Sequence, residues 1–152
     1  MKVLGEYTCR GTIVPSETNP KKITLFDGSF QTGYRIKKFI ISPFDMDNQN
    51  IRNYVGKVAT DDGLDPREWA WEDQREIGWA TFVWDANSNA PGQTFSLVDS
   101  DQIIVEDCYV YAEEPAGSTT SFTNYYIEFE KVEIKDWEGA LAMARDRASG
   151  DN

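Results

Sequence analysis

Histidine is absent from this 152-residue chain. That excludes every Ser-His or Cys-His nucleophile and every imidazole metal site. Cysteine is scarce: Cys9 and Cys108 stand alone, with no CxxC and no metal-ligand spacing. Both lie inside alternating apolar runs, where a free thiol behaves as a small hydrophobe, so both are expected as buried, unpaired thiols. No apolar stretch approaches the length of a membrane span, and MKVLGEYTCRG lacks the continuous apolar core of a signal peptide. The expectation is a soluble protein made in the cytoplasm. Phosphate-cradling glycines are missing too, because LFDGSFQTG has neither the P-loop nor the dinucleotide spacing.

Positive charge is the next shortage. Fifteen Lys and Arg face 26 Asp and Glu, a net charge of −11. Nucleic-acid phosphates and anionic membranes would repel such a chain, so neither is an expected partner. The shortage is uneven: residues 1–44 hold seven basic against three acidic residues, and the remainder holds eight against 23. Either the basic N-terminal strands pair with acidic ones inside the fold, or a dipolar subunit packs its basic end on an acidic neighbour. The first is the simpler reading.

What the chain does have is apolar and aromatic residues at period two. Apolar residues make up 40% and aromatics 13%, which argues against disorder and favours sheet. Strands are read over Val3–Val14, Lys22–Phe26, Tyr34–Ser42, Tyr54–Thr60 and Thr94–Val98, and over Ile77–Trp84, which is apolar on both faces as a central strand is. The longest runs are Gln102–Glu114 and Phe122–Ile134, which read as one long hairpin closed by PAGSTTS. Asp27-Gly28 signals another hairpin. Gly5 and Gly11 mark bulges or close approaches, and a parity change near Lys37-Lys38 marks a bulge or a strand buried on both faces. Asp136 caps a short helix over 136–149, with Trp137, Leu141 and Ala144 on one face. The predicted fold is all-β: a single-domain, antiparallel, jelly-roll-like β-sandwich of about eight strands with one C-terminal helix.

Candidate sites are few. Asp45, Asp47 and Asn48, then Asp61, Asp62 and Asp65, then Asp99 and Asp101 offer hard oxygen ligands on loops that suit Ca²⁺. None follows the EF-hand pattern, and a solvated acidic loop is the plainer reading. No cofactor is expected. Trp69, Trp71, Trp79 and Trp84 crowd into sixteen residues. Trp79 and Trp84 fall on opposite faces of one strand, so at least one belongs to the core. Trp69 and Trp71 share a parity in a loop and suit either a sugar-stacking platform or a subunit contact, since tryptophan is enriched at interface hot spots.

The segment KKITLFDGSFQTGYRIKKFIIS, with the later strand YYIEFEKVEI, resembles small β-rich structural proteins of marine tailed bacteriophages. The likeness covers most of residues 20–134 as an order of elements. It implies a non-enzymatic virion component: a capsid decoration (cement) protein, or a head–tail or tail accessory protein. Such proteins work as symmetric oligomers, here a trimer by preference, against the major capsid protein or other virion proteins. Trp137, Leu141, Trp69 and Trp71 are the expected interface residues, with the apolar segments Met1–Tyr7 and Trp137–Met143 reaching neighbours. A carbohydrate-binding β-sandwich module is the alternative.

Overall fold

The structure, a computed structural model, describes residues 2–14, 20–29, 31–45, 52–84, 93–114, 122–134 and 141. Among these residues there are eight strands: β1 (Lys2–Ile13), β2 (Lys21–Ile23), β3 (Thr32–Pro43), β4 (Arg52–Ala59), β5 (Glu76–Trp84), β6 (Gln93–Val98), β7 (Cys108–Glu113) and β8 (Thr123–Glu133). Each overlaps a stretch read as a strand from the sequence, although β2 and β7 are shorter than the runs they overlap. They form two antiparallel sheets, sheet A in the order β1-β8-β3 and sheet B in the order β2-β7-β4-β5-β6.

That order is a long ribbon folded back on itself, with β1 on β8, β2 on β7 and β4 on β5. The remaining step of a jelly roll would pair β3 with β6. Here β6 pairs with β5 instead, yet it stays beside β3, where the Ser96 hydroxyl donates to the Phe39 carbonyl. The all-β sandwich read from the alternation is therefore the fold.

Two sequence expectations fail on topology. The long hairpin over 102–134 does not exist, because β7 lies in sheet B and β8 is the middle strand of sheet A. Within residues 102–107 the strand pairing is limited to an isolated bridge, Ile104 to Tyr34. Alternation reports which residues face inward, and two strands facing the same core from opposite sheets alternate just as a hairpin does. The Asp27-Gly28 turn likewise joins β2 and β3, which belong to different sheets, although Gly28 takes a left-handed φ of 90°. The two bulges fare better: the β1 register shifts between Val3 and Gly5, and the β3 register between Ile36 and Lys38.

The core lies between the sheets. From sheet A it takes Ile13, Ile36, Phe39, Ile41, Tyr125, Ile127 and Phe129; from sheet B, Tyr54, Val58, Ala80, Phe82, Cys108 and Val110. A smaller cluster of Val105, Val132 and Ile134 covers one end of the other face of sheet A. It needs Gly33, where an added Cβ would stand 2.6 Å from the Ile103 side chain. Both cysteines are free; Cys108 is buried, and burial pushes its thiol pKa up, while Cys9 is only half-buried. Basic N-terminal strands do pair with later acids, through Lys22–Asp107, Arg35–Glu130 and Lys37–Glu130. Of the helix expected over 136–149, only Leu141 falls among the described residues; it is helical and exposed.

Candidate functional site: the outer face of sheet B

In sheet B, Gly56, Val58, Ala80, Phe82, Val110 and Ala112 point into the core, so their neighbours Lys57, Trp79 and Tyr111 point outward. Outward does not mean exposed. Lys57 is 1% exposed, Tyr111 1% and Trp79 6%, because the connection from Thr60 to Arg75 folds back over them.

This cover is held by polar groups. Lys57 Nζ lies 3.1 Å from Glu76 Oε2 and 2.7 Å from the Glu68 carbonyl, and sits 5.3 Å above the Tyr111 ring. Glu76 Oε1 accepts from the Ala70 amide at 2.9 Å and from Trp79 Nε1 at 3.0 Å. A register shift between Val58 and Ala59 places Glu76 opposite Ala59 and turns its carboxylate to the outer face. The Tyr111 hydroxyl donates to the Asp61 carbonyl and accepts from the Leu64 amide; burial raises its pKa to about 12. Arg75 then ties the loop's two ends, donating to Asp73 and, at 3.0 Å, to Asp61. The Gly63 amide and Arg75 hold the Asp61 carboxyl below its usual range, and Arg75 does the same for Asp73.

What the loop presents is apolar. Trp71 is 60% exposed and packs edge-on against Trp79 at 6.0 Å. Trp69 stacks on Phe95 of β6 at 6.0 Å, and Phe95, Leu97 and Val83 are each more than 40% exposed. Trp69 and Trp71, singled out by their shared parity, are thus brought to one surface, while Trp79 lies beneath them. Phe95, Leu97 and Val83 had no distinguishing signal, since alternation does not say which of two faces is bare. Lys57 and Glu76 went unnoticed because an isolated lysine in YVGKVAT looks like a solvent-facing strand residue.

Of the acidic loop residues considered for Ca²⁺, Asp61, Asp65 and Asp99 have contacts of their own. Asp61 pairs with Arg75, and the Asp65 carboxylate accepts from the Arg67 amide. Asp62 and Asp45 are described, and Asp47 and Asn48 lie outside the described residues. Asp99 accepts from the Asp101 amide. Among the described residues, no three acidic or thiol groups are grouped to hold an ion. Trp137 also lies outside the described residues, and Leu141 is 55% exposed.

A second feature is an open groove of about 710 Å³, lined by Arg10, Thr12, Ser42 and Asn124 of sheet A and by Phe82 and Thr94 of sheet B. Within that lining Thr12 Oγ1 donates to Asn124 Oδ1 at 2.8 Å. Among the described residues no helix is long and apolar enough to cross a membrane. No protein-family model matches the chain, and no curated protein matches it.

Proposed function

We propose that this chain is a non-enzymatic structural subunit of a tailed-phage virion, decorating or cementing the capsid as a symmetric oligomer in contact with the major capsid protein. The observation that supports this most is the apolar surface of Trp71, Trp69, Phe95, Leu97 and Val83 on sheet B. A folded protein rarely leaves such a contiguous apolar patch to water unless something docks there. The loop that presents it is locked by a buried ion pair and an arginine clamp, so docking needs little ordering of the surface. The likeness to phage structural proteins supplies the kind of partner. A tail or head–tail position is the sister reading, and copy number per particle separates the two: a large copy number fits decoration, a single ring fits a tail part.

The test is retention on shells. Trp71→Ala should leave thermal unfolding unchanged and weaken binding to capsids lacking the protein by about 2 kcal/mol or more, the usual effect of truncating a tryptophan anchor. Undiminished binding would remove this face from the proposal. A carbohydrate-binding module is the second reading, favoured by one observation: Trp71 is 60% exposed on a loop whose Glu68 and Glu72 are exposed too. Saturable quenching of tryptophan fluorescence by oligosaccharides, lost in Trp71→Ala, would put that reading first.

A further inference from the structure

Strand β1 is the edge of sheet A, bonded to β8 on one side and to no strand on the other among the described residues. From Lys2 to Arg10 it is exposed on both faces except at Gly5 and Cys9, with Tyr7 53%, Val3 48% and Leu4 43% exposed. Edges like this normally carry a protective device: shortness, a proline, or an inward charge. The only irregularity in β1 is the bulge at its start, between Val3 and Gly5, and beyond it the ladder runs unbroken to Ile13. A row of backbone donors and acceptors is therefore left for another strand to complete.

The charges on that edge choose the strand. Glu6, Thr8 and Arg10 share the outer face of sheet A, opposite Glu130, Glu128 and Tyr126. Glu130 is already engaged by Arg35 and Lys37, and Tyr126 donates to Glu128. Glu6 and Arg10 make no ion pair among the described residues. We infer that β1 pairs antiparallel with β1 of a second copy about a twofold axis through Thr8. In that register Glu6 of each copy opposes Arg10 of the other, Tyr7 opposes Cys9, and Gly5 opposes Gly11. Every opposed pair has matching parity, as a twofold edge contact requires. Sliding the axis to Glu6 sets Glu6 on Glu6 and Lys2 on Arg10, all like charges, and directly opposed like charges destabilise. The product is one continuous sheet, β3-β8-β1-β1-β8-β3, of the kind seen in strand addition.

The inference rests on the assembly reading and gives it a twofold contact, where the sequence alone favoured a threefold one. Sedimentation of the full chain over a range of concentrations tests it. The wild type should form even-numbered species. Arg10→Glu or Glu6→Arg alone should weaken self-association at least about tenfold, because each places like charges at two symmetric positions. The double exchange, Glu6→Arg with Arg10→Glu, should restore it. Thr8→Cys in a Cys9→Ser background should give a disulfide-linked dimer under mild oxidation, since the two copies of residue 8 face one another on the axis. A monomeric wild type, a strict trimer, or a double exchange no better than the single ones would overturn the pairing. Shell binding by a chain that fails these tests would leave the assembly function standing and remove only this contact; a β1 dimer that never binds shells would do the reverse.

Discussion

Lys57 on β4 and Tyr7 on β1 invert the usual placement of their residue types. The lysine is 1% exposed and the tyrosine 53%. Burying an ammonium is costly unless it is paired and hydrogen-bonded. Lys57 meets that condition with a carboxylate, a carbonyl and an aromatic face. Among the described residues Tyr7 has an edge contact with the Tyr34 ring, at 6.4 Å. One region has completed itself with a loop of its own chain; the other presents an unfinished edge. Polarity alone predicts neither, and the difference lies in what the chain supplies locally to cover each strand.

The sharpest way to break the comparison is to unpair the buried charge. Lys57→Ala leaves the Glu76 carboxyl group beneath the loop without its cation, still bonded to the Ala70 amide and the Trp79 indole. Removing one partner of a buried pair typically costs about 3–5 kcal/mol. Urea unfolding should show a loss of that order. A loss below about 1 kcal/mol would mean that the loop does not depend on this pair.

Gly56→Ala should come next. A Cβ there would stand 2.9 Å from the Tyr111 carbonyl oxygen and 3.1 Å from the Ile41 side chain. The nearest atom is backbone of the neighbouring strand, so relief requires β4 and β7 to part. Overpacking of this kind costs about 1–3 kcal/mol. The midpoint of thermal unfolding should fall accordingly, whereas the open site at Gly28 gives no such steric signal.

The arginine clamp sets a smaller effect, and one that depends on pH. Asp61 and Asp73 have folded-state pKa values lowered beneath 3.8, so the folded form binds protons less readily than the unfolded one. Their contribution is present in full above the unfolded pKa and disappears as pH falls through the folded value. Stability should therefore decline below about pH 4–5. Arg75→Ala should cost about 1 kcal/mol at neutral pH, given the partial exposure of both carboxylates, and should flatten the acid limb. An unchanged acid limb would mean that other carboxyls govern it.

These positions also mark how far the sequence could be read. The strands were legible because period two survives wherever one face is buried, as in Tyr125, Ile127 and Phe129 of β8. The bulge at Lys37-Lys38 showed as a change of parity within one run, and the one at Gly5 as a glycine inside a strand. Partnership was not: nothing in the alternation of β7 and β8 says that they lie in different sheets, which is decided by long-range pairing of β1 with β8 and β2 with β7. The site was half legible. Trp69 and Trp71 stand out by type, but Lys57 and Glu76 acquire their roles only when the loop from Thr60 to Arg75 closes over sheet B.

The smallest expected effect on folding falls on the unfinished edge, and its smallness is what makes it informative. Leu4 lies at the β1 bulge and is 43% exposed, with no place in either core cluster. Leu4→Ser should change unfolding free energy by no more than about 0.5 kcal/mol, the usual range for surface substitutions. If the edge is a contact between copies, the same change should still lower self-association measurably, because a leucine buried at an interface loses its transfer free energy on becoming serine. A fold-neutral variant with weakened association separates the two regions cleanly: the Lys57 region is needed to fold, the β1 edge to assemble. If Leu4→Ser destabilises the monomer as much as Gly56→Ala does, β1 belongs to the folding core, and its exposure does not mark a surface kept for a partner.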